Sequence, residues 1–365
     1  MTTSKNNLPA PDLAVLVGVA AERDLDELEA LCDTCNIKTA ERITQNVKTV
    51  DVATYIHSGK VAEVRAAVEK HGATCVVFDV ELSGSKVRNL ETALGVAVLD
   101  RSLVILDIFA QRATSAEGKL QVELAQLKYN MPRLVGSGGL MSKMRNSVGM
   151  RGPGEKKLEL DKRRIRDDVI ALERELAKLR DQRILSRQKA TKSGKPRVCL
   201  VGYTNSGKST LLNTIAKADV YARDQLFATL DPKTVNVYAD GVQFLLTDTV
   251  GFIDKLPHEF INAFESTLDE VRYANLLLHV VDISNPNYEQ QMATVNDVLK
   301  KIKADHIPTI MVYNKIDKMP SLGGAGGVTP HAISISAHKN QNIDLLKQKI
   351  VHIISNESNS IRRDE

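Results

Sequence analysis

An α/β chain in three parts is predicted by the sequence: a small N-terminal α/β domain, a long antiparallel helical hairpin and a C-terminal phosphate-loop α/β domain. Three observations predict it. Short β-branched runs alternate with amphipathic stretches through the first hundred residues. The apolar spacing changes to threes and fours from Leu106. A glycine-rich run then stands between an apolar strand and the start of a helix near residue 202.

The first part, residues 1–102, contains AVLVGVA (14–20), CVVFDV (75–80) and VAVLD (96–100), separated by DLDELEALC and KVAEVRAAVEKHG. Strand-like runs alternating with helical ones imply βαβ units and a largely parallel sheet. In TYIHSGKVAEV a glycine precedes a lysine, but no second glycine lies at phosphate-loop spacing, so a turn leading into a helix is expected. Cys32, Cys35, Cys75 and Cys199 are scattered, which suits free thiols in a reducing compartment.

The second part spans residues 103–190. Leu106, Phe109, Ala113, Ala116, Leu120, Leu124 and Leu127 define one apolar seam and predict a single long helix. Leu158, Ile165, Val169, Leu172, Leu176 and Leu179 repeat in the manner of a coiled coil. Two such helices of similar length joined by one loop should fold back as a hairpin projecting about 40 Å. The connecting tip, 131–154, carries six glycines, four basic residues and no acid. A flexible basic loop on a rigid arm suits folded RNA, because Lys and Arg neutralise phosphates while glycine lets backbone amides approach them. The charge is local: residues 151–197 hold sixteen Lys/Arg against eight Asp/Glu, or +8, whereas the whole chain is +4 and the remainder therefore −4. Residues 182–197 add six basic residues with Ser, Gly and Pro and read as the linker into a new domain, its last stretch being 191–197.

The third part, 198–358 with a tail at 359–365, opens on PRVCLVGYTNSGKSTLLN. Strand, Gly202-x4-Gly207-Lys208-Ser209 and helix form the context a phosphate-binding loop requires. Gly202, Tyr203, Thr204, Asn205, Ser206 and Gly207 should wrap the phosphates with their amides, together with the helix start at Thr210. Lys208 should reach the β and γ oxygens and the Ser209 hydroxyl should ligand Mg²⁺. The apolar strand FLLTDTVGF ends on Asp248-x-x-Gly251, with the carboxylate placed for the Mg²⁺ shell and the glycine amide for a γ-phosphate. Between them lies QLFATLDPKT, where Phe227 and Thr229 are assigned to the nucleotide. Thr229 is chosen over Thr234 to close the Mg²⁺ shell, since Thr234 reads as the start of the next strand. Lys208, Thr229 and Gly251 are thus the expected catalytic set, and Ser209, Thr229 and Asp248 the metal set.

Base choice falls to Asn314, Lys315 and Asp317 after the strand PTIMVYN. The Asp317 carboxylate can accept from N1–H and the 2-amino group of guanine, donors that adenine lacks, so GTP and GDP are favoured over adenine nucleotides. Asn314 should tether the phosphate loop, the Lys315 stem should cover the base, and Ser336 and Ala337 should bring an amide to guanine O6. A P-loop GTPase domain is the expectation.

These motifs, combined with FATLDP, DTVGFI and LPHEFINAFESTLDEV and preceded by Arg151-Gly152-Pro153-Gly154-Glu155, resemble HflX, the ribosome-associated GTPases. The resemblance covers nearly the whole chain. It implies that the N-terminal domain and hairpin bind the large ribosomal subunit and its ribosomal RNA, with the hairpin loop near the peptidyl-transferase centre, and that the protein splits or rescues stalled ribosomes. A GTPase assisting large-subunit assembly and a nucleotide-gated RNA-binding scaffold are the alternatives. A departure from the family pattern is Arg145-Asn146-Ser147-Val148-Gly149 in place of a glycine-rich run before RGPGE. The family also carries a hydrophobic residue where many GTPases use a water-positioning glutamine; Phe252 holds that position here, so intrinsic hydrolysis should be slow until docking completes the site. His258 and Glu259 are the local alternatives. No apolar run reaches the roughly 20 residues of a bilayer span, and a monomeric cytoplasmic protein is expected.

Overall fold

The computed structural model describes residues 12–19, 25–46, 49–134, 154–191, 194–216, 226–227, 229–254, 265–319 and 331–361. Most of the tip loop, Arg151 to Pro153 of the RGPGE element, and His258 and Glu259 lie outside the described residues. The chain divides into two compact units, one of Met1–Gln111 with Val122–Arg174 and the other of Arg112–Gln121 with Glu175–Glu365.

In the first unit a four-stranded sheet has the order β2-β1-β3-β4, with every pair parallel. Its strands are β1 (Leu13–Val19), β2 (Lys38–Gln45), β3 (Cys75–Phe78) and β4 (Ala97–Asp100). Helices α1 (Asp26–Thr34), α2 (Ser58–His71) and α3 (Gly84–Leu94) connect them, and α4 (Arg101–Arg112) follows. The inner strands are buried on both faces, as parallel sheets covered by helices require; Val15, Val17, Val76 and Phe78 sit in one core with Leu90. Gly72 and Gly95 end α2 and α3 with φ of 64° and 74°, a left-handed conformation that only glycine takes without strain. Strand β2 was not legible as a strand. Its KTAERITQ lies at the sheet edge, where few side chains are buried and no apolar run is demanded.

The apolar seam from Leu106 to Leu127 does not form one helix. Helix α4 stops at Arg112, and α5 (Ala116–Asn130) begins after Ala113, Thr114 and Ser115. Ser115 is the physical reason: its Oγ accepts from the Gly118 amide at 2.9 Å, so a hydroxyl satisfies a donor that helix initiation leaves open. The spacing carries across the break, which is why periodicity alone hides it. Helix α6 (Gly154–Thr191) is 38 residues long against 15 for α5, so the two helices are not of similar length. At 1.5 Å per residue α6 extends about 57 Å. Ile165, Val169, Leu172, Leu176 and Leu179 are its half-buried stripe on an otherwise mostly exposed surface. The helix runs through residues 182–191, so the break before the next strand is shorter than the basic composition suggests.

The second unit carries a six-stranded sheet of order β10-β9-β8-β5-β7-β6. Its elements are β5 (Arg197–Gly202), α7 (Lys208–Ala216), β6 (Lys233–Ala239), β7 (Val242–Asp248), α8 (Glu265–Arg272), β8 (Leu276–Asp282), α9 (Tyr288–Lys301), β9 (Thr309–Asn314), β10 (Ala332–Ser334) and α10 (Ile343–Ile361). Only β6 runs antiparallel, joined to β7 by Asp240 and Gly241, whose φ of 45° and 81° make the tight turn that matches strand twist. The central strands β5 and β8 are almost wholly buried. Consequently the carboxyl ends of β5, β7, β8 and β9 bring Gly202, Asp248, Asp282 and Asn314 to one edge, where open α/β sheets take their ligands.

Candidate functional site: a nucleotide cavity at the strand ends

A cavity of about 450 Å³ opens at that edge. Thr204, Asn205, Gly207, Lys208, Ser209, Thr210, Phe227, Thr229, Gly251, Asn314, Lys315, Asp317 and Ala337 line it. Gly202, Tyr203, Ser206, Asp248 and Ser336 stand behind this lining, each buried. Motif reasoning did not name Thr249, Lys318 and His338, which also face the cavity. Thr249 follows Asp248 and donates to the Leu200 carbonyl at 2.7 Å, a tie between strands that no sequence signal announces.

The phosphate loop is shaped by its glycines. A Cβ on Gly202 would collide with the Val280 carbonyl, and one on Gly207, at φ 94°, with the Asn314 side-chain amide. A Cβ on Gly251 would come within 2.9 Å of the Thr204 backbone and 3.0 Å of the Lys208 ammonium. The three glycines therefore let loop, strand end and switch segment touch. Lys208 is buried and donates to the carbonyls of Gly202 and Tyr203 at 3.1 and 2.7 Å. Burial pulls its ammonium down to about 8, with nearby Asp248 opposing that shift and Lys315 adding to it. A buried cation facing a phosphate-sized opening is a site prepared for negative charge.

Three hard oxygens converge beside it. The Ser209 hydroxyl lies 2.6 Å from Asp248 Oδ2, Thr229 Oγ1 lies 2.8 Å from the same oxygen, and the two hydroxyls are 2.9 Å apart. Asp248 is fully buried, and its Oδ1 has no hydrogen-bond partner among the described residues. Burial raises the affinity of that carboxyl for a proton, while Lys208 and the two hydroxyls pull the other way. An all-oxygen set with one orphaned buried carboxylate oxygen fits Mg²⁺, a hard cation that favours oxygen and keeps waters. Thr234 instead meets Thr247 at 2.9 Å across the β6–β7 hairpin.

At the base end, Asn314 Nδ2 donates to the Ser206 carbonyl at 2.9 Å, a tether between β9 and the phosphate loop. Lys315, at φ 66°, donates to the Asn205 carbonyl at 2.8 Å and pairs with Asp282 at 2.7 Å. The Asp317 carboxylate accepts from Ser336 Oγ at 2.5 Å, and that bond holds it below the usual carboxylate range. The expected Ala337 amide for guanine O6 is donated to Asn314 Oδ1 at 3.0 Å. That amide already satisfies a buried acceptor, which sequence spacing could not reveal.

Three family models match the chain consecutively: a GTP-binding GTPase N-terminal region over residues 22–110, a GTP-binding GTPase middle region over 112–190, and a 50S ribosome-binding GTPase over 197–315. The GTPase HflX of Caldanaerobacter subterraneus subsp. tengcongensis is 46% identical over 342 residues, 92% of this chain and 79% of the relative. The chain belongs to the HflX family of GTPases. HflX of Escherichia coli is 42% identical over 339 residues, 92% of this chain and 80% of the relative. The crystal structure of SsGBP in complex with GDP aligns over 95% of this chain and 99% of its own with a TM-score of 0.53 at 25% identity. As an HflX GTPase the protein binds and hydrolyses GTP and is ribosome-associated. Among the described residues, no helix is long and apolar enough to cross a membrane.

Proposed function

We propose that this HflX protein is a cytoplasmic factor that docks on the large ribosomal subunit and splits or rescues stalled ribosomes, with GTP hydrolysis spent only after docking. The observation that carries the proposal is Phe252, buried at 3% exposure where a glutamine would orient the attacking water. Its ring offers no hydrogen bond, so the isolated chain lacks that catalytic element at this position. Docking on ribosomal RNA supplies or orders the missing group.

In this reading the phosphate loop and Lys208 hold the β and γ phosphates, Ser209, Thr229 and Asp248 hold Mg²⁺, and the Gly251 amide senses the γ-phosphate. The metal, when bound, neutralises charge that develops on the transferred phosphoryl group. Asp317 selects guanine and Asn314 keeps the loop in register with the base site. The basic segment 151–197 supports the RNA contact, because its +8 charge is concentrated on a single stretch of chain.

The test is GTP turnover with and without purified large subunits, alongside sedimentation of intact ribosomes with GTP or a non-hydrolysable analogue. Turnover should rise by at least roughly 100-fold with subunits, the scale of supplying a missing transition-state group. Ribosomes should separate into subunits. Unstimulated turnover would remove the proposal.

A further inference from the structure

Asp231 lies two residues beyond Thr229, and its carboxylate is engaged far more heavily than a turn residue needs. Oδ2 accepts from the Thr114 amide at 3.0 Å, the Thr114 hydroxyl at 2.7 Å and the Ser115 amide at 2.8 Å, while Oδ1 accepts the Ser115 hydroxyl at 2.5 Å. All three residues belong to the second unit. Ser115 Oγ in turn accepts from the Gly118 amide, so the Asp231 carboxylate holds the residue that caps the start of α5. A negative group at a helix N-terminus is favourably placed against the backbone dipole.

Gly118 supplies an independent observation. A Cβ at that position would stand 2.5 Å from Asp231 Oδ1 and 3.0 Å from Ser115 Oγ. The first turn of α5 thus has a glycine where the switch carboxylate is seated, although glycine is a poor helix former. Helix α5 and the switch segment fit each other at this point.

We propose that Asp231 is a positioning residue for GTP hydrolysis: by fixing residues 229–232 to the N-terminus of α5, it holds the Thr229 hydroxyl beside Ser209 and Asp248. The helical segment at 114–118 is then part of the switch that completes the metal site. The proposal rests on Thr229 serving the metal, as argued above. Because Thr229 is required when the γ-phosphate is present, Asp231 acts on the triphosphate-bound state and on turnover, not on GDP binding.

The test uses the full chain. Thr229→Ala establishes the reference loss. Asp231→Ala should lower kcat roughly tenfold and raise several-fold the Mg²⁺ concentration giving half-maximal turnover, the scale expected for a displaced catalytic group. GDP affinity measured without Mg²⁺ should stay within about twofold, since a positioning effect acts in the reacting state. Asp231→Asn, which retains one acceptor oxygen and an amide able to donate to Ser115 Oγ, should recover part of kcat. Gly118→Ala, remote from the nucleotide and a better helix former, should reproduce the kcat and Mg²⁺ changes by displacing the carboxylate. If Thr229→Ala leaves turnover unchanged, the metal-site reading and this inference both fall. If Thr229→Ala lowers turnover but Asp231→Ala and Gly118→Ala do not, only this inference is overturned. Equal losses of GDP affinity and kcat in Asp231→Ala would also overturn it, since they would mark a merely structural role.

Discussion

Replacing Lys208 with methionine should abolish nucleotide binding and yet make the nucleotide-free protein more stable near neutral pH. The ammonium is buried and titrates at about 8 in the folded protein, compared with 10.5 for an unperturbed lysine. At about 1.4 kcal/mol per pH unit, holding the charge in the nucleotide-free protein costs about 3–4 kcal/mol. Between those two values the unfolded chain binds more protons than the folded one, so the stability of the wild type rises with pH across that window. The advantage of Lys208→Met is therefore full below about pH 8 and fades towards about pH 10.5. The two carbonyls that Lys208 leaves behind keep other donors, since Gly202 O accepts from Phe252 N and Tyr203 O from Ser206 N, and the loop is not stripped of partners. Calorimetric scans of the full chain give the assay, with the transition that moves on adding GDP to the wild type marking the second unit. At about 2–4 °C per kcal/mol for a domain of this size, the variant should melt several degrees higher at pH 7. A lower melting point at pH 7, or an advantage that does not shrink between about pH 8 and 10.5, would refute the electrostatic account.

Asp317→Asn should weaken GTP and GDP binding by about two orders of magnitude, because an amide set against N1–H and the 2-amino group leaves donors facing donors. The same change should improve binding of xanthine nucleotides, measurable by competition against a fluorescent guanine nucleotide. In the first unit, buried Arg101 joins Asp79 at 2.8 Å to Glu27 at 2.5 Å. Arg101→Met should cost about 3–5 kcal/mol by taking the guanidinium from a buried carboxylate. Hydrogen exchange should then accelerate across β1 to α3, with GDP affinity unchanged; unaltered exchange there would count against the ion pair as a stabilising element.

The nucleotide motifs were legible because phosphate and guanine chemistry tolerates few residue types at fixed spacing. Asp248 and Asn314 could be read from strand-end positions, Lys208 and Ser209 from glycine spacing between a strand and a helix, and the strands themselves from β-branched runs such as RVCLVG. What stayed hidden depends on partners distant in sequence. Residue Asp231 reads locally as a turn before Pro232, and its four donors lie more than a hundred residues earlier. The break at Thr114 and Ser115 is masked by apolar residues that keep a helical period through it. Edge strand β2 escaped because polar side chains suffice where only one neighbour strand exists. The bond from the Ala337 amide to Asn314 Oδ1 stayed hidden because its partners are distant in sequence, one at the end of β9 and the other beyond β10.

Phe252 is stitched by its backbone to the phosphate loop: its amide donates to the Gly202 carbonyl at 3.1 Å, and its carbonyl accepts from Thr204 at 2.7 Å. These two bonds form an isolated parallel bridge between Tyr203 and Phe252. The seam fixes the backbone of the residue in the water-positioning slot to the loop that lines the cavity. With its backbone tied and its ring buried, Phe252 has no hydrogen bond left to offer a water, so another group must bring that water into line.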